Sequence, residues 1–221
     1  MENEAILVDF IGIAGTGKTT LLNGLKFSKT IINGSKYKNI HLSPFSLVDN
    51  SPAYQQLLAA ALNEIANANS PVHQKFADLN ALVLRLNTDG LLRKYHKKVV
   101  FVFDEGIIEG YWNVFDKLIE RDSDFFQEFS KNRAIVFCDA PLEIIVDRFI
   151  KRESTKPPHA PWYQGETERE LLNYYKEMQE AIRNFVAKAQ NFLPILTIQT
   201  TNNFSDNIKI IQNFIEGLPK N

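Results

Sequence analysis

Three glycines, a lysine and a threonine lie close together near the start of the chain, where residues 12–19 read Gly-Ile-Ala-Gly-Thr-Gly-Lys-Thr. Glycines allow consecutive backbone N–H groups to turn towards one anion, in conformations that a Cβ atom would forbid. Lysine adds a positive charge, and a threonine hydroxyl is a ligand for Mg²⁺. The spacing matches the pattern G-x-x-x-x-G-K-[ST], so it predicts a site for the phosphates of a nucleoside triphosphate.

The residues on either side of this loop favour the same interpretation. Residues 5–11 are largely apolar and predict a strand, and a short helix is predicted after the loop, to about residue 27. The N-terminal end of that helix adds N–H donors and the positive end of its dipole. We expect ATP to be the nucleotide, with Lys18 on its β- and γ-phosphates and Thr19 as a ligand of Mg²⁺. The predicted nucleotide-binding residues are Gly12, Ala14, Gly15, Thr16, Gly17, Lys18, Thr19 and Thr20.

A second group that could do chemistry is the acidic pair Asp104 and Glu105, which follows the apolar run at residues 99–103. That run predicts a strand covered on both faces. A carboxylate at the C-terminal end of such a strand is well placed to hold Mg²⁺ or its water. Asp104 is therefore a candidate metal ligand and a candidate base for an acceptor hydroxyl, with Glu105 as the second candidate base. An ordinary acidic turn is the alternative.

Two arginines precede a long segment without periodicity. Arg148 and Arg152 are one helical turn apart, whereas Lys151 has Asp147 as an i,i+4 partner. Two like charges at this spacing repel each other weakly, and an anion between them would reverse that cost. Residues 153–165 contain three prolines, which is typical of a lid or binding loop. We expect both arginines to neutralise charge on the transferred phosphoryl group; two solvated surface arginines are the alternative.

Strand-length apolar runs alternate with longer helical stretches along the chain. This alternation predicts an α/β fold with a parallel sheet between two layers of helices. The predicted later strands are residues 39–42, 99–103, 134–138 and 195–198. The predicted helices cover residues 51–95 with a break near Pro71, and then residues 141–152, 166–190 and 204–217.

The composition of the chain argues against nucleic-acid-binding and membrane proteins. The net charge of −1 over 221 residues gives no global field for nucleic acid or an anionic membrane. The N-terminus is acidic and no apolar stretch reaches the length of a membrane span. The single cysteine, Cys138, lies in an apolar run, which predicts an inert buried thiol and a reducing compartment. The four histidines have no metal-ligand spacing. We expect a cytoplasmic protein.

With these motifs in place, the chain resembles the thymidylate kinase and deoxynucleoside kinase group of P-loop kinases. Residues 10–20 are similar to the thymidylate kinase run Phe-Glu-Gly-Ile-Asp-Gly-Ser-Gly-Lys-Thr-Thr. Asp-Glu-Gly at residues 104–106 stands where the group has Asp-Arg-Tyr or Glu-Arg-Ser, and Arg148 and Arg152 stand where it has arginines leading into a lid. The resemblance implies one P-loop domain over residues 1–221, a three-layer α/β/α sandwich with five parallel strands, and a lid at about residues 153–165.

The departures from the group concern the phosphoryl acceptor. Ile11 and Ala14 replace acidic residues, Glu105 replaces an arginine, and Ser-Pro at residues 43–44 replaces Glu-Pro. Arg85, on the long helix before the third strand, corresponds to the arginine that contacts the acceptor in this group. The alternative for Arg85 is an ion pair within its own helix, with Asp89 or Asp78.

These observations predict a kinase that transfers the γ-phosphoryl group of ATP to a small molecule, with a nucleoside or nucleotide favoured. Lys18, Asp104, Arg148 and Arg152 are the predicted catalytic residues, and Glu105 and Arg85 the predicted acceptor-binding residues. A sugar or other small alcohol as acceptor, and a non-catalytic ATP-binding protein, are the alternatives. A regulatory GTPase is disfavoured because the guanine-binding Asn-Lys-x-Asp run is missing. The acceptor, the base and the oligomeric state, for which a homodimer is one option, stay open.

Overall fold

Five parallel strands form one sheet in the computed structural model, which describes residues 4–37, 52–154 and 168–219. The strands are β1 (Ile6–Ile11), β2 (Ile31–Asn33), β3 (Val100–Phe103), β4 (Arg133–Asp139) and β5 (Ile195–Gln199). Their order across the sheet is β2-β3-β1-β4-β5. The central strand β1 therefore has β3 on one side and β4 on the other, and the carboxyl ends of all three meet at one edge.

Helices connect these strands, as parallel pairing requires. Within the described residues they are α1 (Lys18–Gly24), α2 (Pro52–Asn67), α3 (Val72–Tyr95), α4 (Ile107–Arg121), α5 (Ser123–Phe129), α6 (Leu142–Ser154), α7 (Glu168–Ala189) and α8 (Phe204–Glu216). A single 3₁₀ turn, Gly34–Tyr37, follows β2. None of the helices in these parts of the chain is long and apolar enough to cross a membrane.

Two hydrophobic layers enclose the sheet, and the alternation of β1 shows which residue belongs to which layer. Ile11 packs with the buried side chains of α2 to α7 on one face. Val8 and Phe10 pack with α1 and α8 on the other. All six residues of β1 are buried, as expected for a central strand covered on both sides. The three-layer α/β/α fold predicted from the sequence is confirmed.

The strand boundaries agree with the predicted ones for β1, β3, β4 and β5 to within one residue. The predicted strand at residues 39–42 lies outside the described residues and stays a prediction. The structure also has a strand that was not predicted, β2 at Ile31–Asn33, an edge strand that pairs only with β3 within the described sheet. Three residues are too few to show an alternating pattern, which explains why the sequence did not indicate this strand.

Two helices were missed by the sequence analysis. Helices α4 and α5 fill the segment between Asp104-Glu105 and β4, to which no secondary structure was assigned. The signal was present in α4, because its buried residues recur at helical spacing. These residues are Ile107, Ile108, Tyr111, Val114, Phe115, Leu118 and Ile119. The first turn of α4 faces the phosphate-binding loop, so this omission also concealed part of the site.

The break at Pro71 is confirmed, since α2 ends at Asn67 and α3 begins directly after Pro71. The buried stripe of α7 follows the predicted 3.6-residue period. Of the predicted lid, residues 153 and 154 belong to the last turn of α6. Residues 155–165 lie outside the described residues, so the lid stays a prediction.

Candidate active site

The loop between β1 and α1 has the left-handed backbone that its glycines permit. Gly12, Gly15 and Gly17 have φ angles of 144°, 92° and 94°. A Cβ atom at Gly12 would lie 2.4 Å from the carbonyl oxygen of Cys138, and one at Gly15 would lie 2.7 Å from that of Ile145. Because both neighbours are backbone atoms, neither can move aside cheaply. Backbone conformation and close approach therefore both require glycine at these two positions.

Two threonines and Ala14 complete the loop. The Thr16 hydroxyl is buried and donates to the carbonyl oxygen of Ile13 over 2.8 Å, so this side chain holds the loop in shape. Ala14 and Thr20 are exposed, Ala14 on the outside of the loop and Thr20 in the first turn of α1. The predicted nucleotide-binding residues are thus brought together in one continuous turn.

Lys18 lies inside this loop and is paired with a carboxylate that the sequence analysis did not identify. Its Nζ atom is 2.9 Å from Oε1 of Glu109, in the first turn of α4, and also bonds to the carbonyl oxygen of Gly12. The other carboxylate oxygen of Glu109 accepts the Gly12 N–H over 3.3 Å. Burial raises the pKa of Glu109 to about 7, although the Lys18 ammonium opposes this rise. A phosphate entering the loop would compete with Glu109 for Lys18.

Thr19 and Asp104 meet at the predicted metal position. The Thr19 hydroxyl donates to Oδ2 of Asp104 over 2.7 Å, and the Asp104 N–H donates to the hydroxyl of Ser35 over 3.2 Å. Oδ1 of Asp104 is buried and has no hydrogen-bond partner among the described residues. Mg²⁺ prefers oxygen ligands and is usually held by one or two carboxylates, with waters and substrate phosphates completing its shell. This donor set fits Mg²⁺ on those terms.

No group of three or more acidic, histidine or cysteine ligands occurs in the described ranges. A metal at Thr19 and Asp104 would therefore depend on phosphate oxygens and water for its remaining ligands. That dependence is the usual arrangement at sites where Mg²⁺ arrives together with a nucleotide.

Arg148 reaches the phosphate-binding loop from α6, whereas Arg152 lies over the Phe149 ring of its own helix. Nη1 of Arg148 is 3.4 Å from the carbonyl oxygens of Gly15 and Thr16, and 3.4 Å from the Thr200 hydroxyl after β5. Arg152 is one turn further along α6, with its guanidinium carbon 5.3 Å from the centre of the Phe149 ring. The structure thus places Arg148 against the loop.

A cavity of about 230 Å³ lies beside the carboxyl end of β3, between α3 and α4. The predicted acceptor-binding residues Arg85 and Glu105 both line it, with Nη2 of Arg85 4.0 Å from Oε2 of Glu105. The guanidinium of Arg85 is also 5.7 Å from the centre of the Tyr111 ring. Asp89, one of the alternative partners of Arg85, is held by a different arginine.

That arginine is Arg133, the first residue of β4. Nη1 of Arg133 is 2.7 Å from Oδ1 of Asp89, and Nη2 bonds to Oδ2. The Tyr54 hydroxyl donates to the same carboxylate, and Nε of Arg133 donates to the carbonyl oxygen of Phe129 over 2.8 Å. Arg133, Asp89 and Tyr54 are all buried. This network adjoins the cavity through Asp89, which lines it, and its charges are matched and hydrogen-bonded.

Asp9 is the other functional candidate that sequence reasoning missed. It lines the cavity from β1 and is only 1% exposed, yet its Oδ1 atom has no hydrogen-bond partner in the parts of the chain that the structure describes. Burial raises its pKa to about 7. The charges of Asp89 and Glu109 add to this rise, whereas Arg133 opposes it. The available signal was a single acid in the middle of an otherwise apolar strand.

Comparison with known proteins shows which solved structures resemble this chain. No protein-family model and no curated protein sequence matches the chain. Among solved structures, deoxyadenosine kinase from M. mycoides with dCMP and dCDP bound aligns with a TM-score of 0.53 and 13% identity, over 96% of this chain and 100% of that one. Shikimate kinase from Bacteroides thetaiotaomicron aligns with a TM-score of 0.47 and 16% identity, over 96% and 98% of the two chains.

The likeness to deoxyadenosine kinase covers nearly the whole of both chains and shows that the two proteins share an α/β fold. The similarity to shikimate kinase is too low to support a further argument. Assignment to the thymidylate kinase group in particular stays a prediction, as do the roles of the individual site residues.

Proposed function

We propose that the protein is an ATP-dependent kinase that transfers the γ-phosphoryl group to a small molecule bound in the cavity between α3, β3 and α4. One observation carries this proposal. The Thr19 hydroxyl and the Asp104 carboxylate, 85 positions apart in the chain, are 2.7 Å apart beside a glycine loop that contains Lys18. If the glycine, lysine and threonine pattern had arisen by chance, nothing would place a metal-ligating carboxylate from a distant strand beside its threonine.

The residues of the loop divide the work of holding ATP. The backbone N–H groups and Lys18 bind the β- and γ-phosphates. Thr19 and Asp104 would hold Mg²⁺, and the ion would supply positive charge to the transferred group. Arg148, already in contact with the loop, is placed to add a second positive charge to the same region. In this class of reaction, positioning and charge stabilisation supply most of the rate enhancement.

The transfer itself needs an acceptor hydroxyl and a group that takes its proton. The hydroxyl oxygen forms a bond to the γ-phosphorus while the bond from that phosphorus to the bridging oxygen breaks, and ADP leaves with the electron pair. Among the candidate bases, Asp104 is engaged with Thr19, and the Glu105 side chain is 58% exposed. Glu109 is partly buried next to Lys18 and has a pKa of about 7, which suits a general base. We therefore favour Glu109.

A nucleoside or nucleotide is the acceptor that the sequence resemblance favours, and the cavity beside Arg85 and Glu105 is where it would bind. A sugar or another small alcohol is the second candidate. Its support is the altered acceptor side, where acidic residues and an arginine of the resembling group are replaced. We further propose that the protein acts in the cytoplasm on free metabolites, since its net charge of −1 does not favour nucleic acid or membrane surfaces.

The test is a screen of nucleosides, nucleotides, sugars and small alcohols with purified protein and ATP–Mg²⁺, following phosphorylated product by mass spectrometry. Lys18→Met is expected to lower turnover by about a hundredfold or more, the scale of one preorganised charge contact. Lys209→Met, at an exposed position on α8, is the matched control and is expected to behave as wild type.

Full activity in Lys18→Met would contradict the proposed role of the loop. Tight ATP binding without product from any acceptor would instead favour the non-catalytic alternative.

A further inference from the structure

The 3₁₀ turn after β2 packs against the end of β3, directly before the candidate metal ligand Asp104. The N–H of Ser35 donates to Oδ1 of Asn33, the last residue of β2, over 3.0 Å, and this bond helps to turn the chain. A Cβ atom at Gly34 would lie 2.4 Å from Cε1 of the Phe103 ring, so glycine allows the turn to lie directly on that ring. Since Phe103 is buried and ends β3, the turn is held beside Asp104.

From this position Ser35 binds the main chain of Asp104. The Ser35 hydroxyl accepts the Asp104 N–H over 3.2 Å, across 69 positions of the chain. A backbone N–H that leaves the strand ladder needs such an acceptor, because an unpaired one costs free energy when it is turned away from water. The bond therefore restrains the main chain from which the Asp104 carboxylate extends.

The carboxylate of Asp104 depends on such a restraint to face a metal ion. Among the described residues, one of its oxygens is held by the Thr19 hydroxyl over 2.7 Å, whereas Oδ1 is buried and has no hydrogen-bond partner. A single bond to one oxygen leaves the direction of the other dependent on the backbone. Mg²⁺ requires nearly ideal octahedral geometry at about 2.0–2.1 Å, so a small rotation of the carboxylate weakens its hold on the ion.

A serine that serves only its own turn has a different bonding pattern, which Ser28 illustrates at the other end of β2. The Ser28 hydroxyl accepts the N–H groups of Thr30 and Ile31, over 3.2 and 3.1 Å, and so bonds two and three residues along the chain. The Ser35 hydroxyl bonds to a different strand. The contrast indicates that Ser35 acts on the site rather than on its own turn.

We propose that Ser35 is a positioning residue of the proposed magnesium site, whose hydroxyl fixes the main chain of Asp104 so that the carboxylate faces the metal beside Thr19. The inference rests on the proposed function and adds a residue that acts through Asp104. Loss of the Ser35 hydroxyl weakens the contribution of Mg²⁺ to ATP binding. It leaves the contribution of the glycine loop and Lys18 unchanged, because the hydroxyl contacts neither.

The experiment measures the magnesium factor, which is the Kd of ATP in EDTA divided by the Kd of ATP in excess Mg²⁺, by calorimetric titration of the whole protein without acceptor. Ser35→Ala is expected to lower this factor about tenfold, the lower end of the range for groups that orient a metal ligand, and to leave the Kd in EDTA nearly unchanged. Ser35→Thr keeps a hydroxyl on the same Cβ atom and is expected to retain the wild-type factor.

The matched control is Ser28→Ala, which also removes a serine hydroxyl that accepts backbone N–H groups next to β2. Ser28 precedes β2, whereas Asp104 lies at the carboxyl ends of the strands. We expect Ser28→Ala to keep the wild-type magnesium factor even where β2 becomes less stable. Urea unfolding of each variant measures that change in stability separately.

The outcomes separate this inference from the function on which it rests. If the wild-type protein binds ATP equally well with and without Mg²⁺, the proposed metal site and this inference both fail. If Ser35→Ala retains the wild-type factor, or if its Kd rises equally in both media, only the role of Ser35 is overturned. Should Ser35→Ala not fold, Ser35→Cys replaces it, because a thiol is only a weak hydrogen-bond acceptor. A wild-type factor in that variant would reject the inference.

Discussion

The phosphate-binding loop and the acceptor cavity adjoin each other at one edge of the sheet but are built by different means. The loop is shaped by backbone, with Gly12 and Gly15 pressed against the carbonyl groups of Cys138 and Ile145. The cavity is shaped by side chains from separate elements, among them Asp9 and Arg85. A backbone site depends on one short run of sequence, whereas a side-chain site depends on residues that the fold brings together.

If the proposed function is correct, this difference would allow the loop to keep its pattern while the cavity changes. Substitutions at positions 9, 85 or 105 would then change which molecule fits the cavity without touching the glycines of the loop. The two regions should therefore respond differently to mutation. The cavity should lose stability or selectivity when a buried charge is altered, and the loop region should lose turnover.

The largest expected effect is on stability and concerns the buried network that adjoins the cavity. Arg133→Met removes the partner of the buried Asp89 carboxylate and is expected to lower the free energy of unfolding by about 3–5 kcal/mol. Urea unfolding followed by circular dichroism measures this loss. Arg183→Met is the matched control, because the Arg183 side chain is 47% exposed and its partner Asp139 keeps a 2.7 Å bond from Gln179.

The control should lose no more than about 1 kcal/mol. If the two variants lost the same free energy of unfolding, the buried pair Arg133–Asp89 would contribute no more to stability than the pair Arg183–Asp139.

The second prediction compares substitutions at two adjacent residues, one beside the loop and one in the wall of the cavity. Asp104→Asn should lower kcat about a hundredfold while ATP affinity changes much less, because the Asp104 carboxylate holds Mg²⁺ beside Thr19. Glu105→Gln, one residue later but facing the cavity, should mainly raise the KM for the acceptor. Steady-state kinetics with both substrates varied distinguishes these effects. A turnover within a few-fold of wild type in Asp104→Asn would reduce Asp104 to a turn residue.

The third expected effect is a pH dependence of stability. Asp9 and Glu109 have folded pKa values of about 7, raised from values near 4. Between about pH 4.5 and 7 the folded protein therefore holds protons that the unfolded chain has lost. Stability should fall as pH rises through this window.

Asp9→Asn should flatten this dependence by removing one of the two groups. Urea unfolding at pH 5, 6 and 7 is the measurement, with Asp116→Asn, which removes an acid paired with Lys188 outside the cavity, as the control. A slope identical to that of wild type would show that Asp9 is ionised throughout the range.

The parts of the site that could be predicted are those contained in continuous runs of sequence. The glycines within residues 12–19 determine the backbone conformation of the loop. Asp104 follows a strand whose position beside β1 is typical of parallel sheets. Their meeting at 2.7 Å agrees with the predicted metal-binding pair. The roles of Arg148, Arg152 and the lid remain predictions. Limited proteolysis of residues 155–165 with and without ATP–Mg²⁺ and acceptor would test the lid.

The parts that could not be predicted depend on packing between distant elements. Glu109 reaches Lys18 only because α4 begins directly after the Asp104 strand and turns back over the loop. Asp89 bonds to Arg133 across 44 residues, a distance over which spacing rules for a single helix give no information. Asp9 could have been suspected as an acid within an apolar strand, but its lack of a partner is a property of the folded cavity.

The close approach of Asp9 and Gly106 also limits the order in which the chain could have acquired its present residues. A side chain at position 106 would collide with the carboxyl at position 9, since the Cβ atom would lie 1.4 Å from Oδ1. A lineage that began with a side chain at 106 would have to lose it before it gained the acid at 9. Ancestral sequences along that path should therefore contain glycine at 106 together with an uncharged residue at 9, and the reverse combination should be absent.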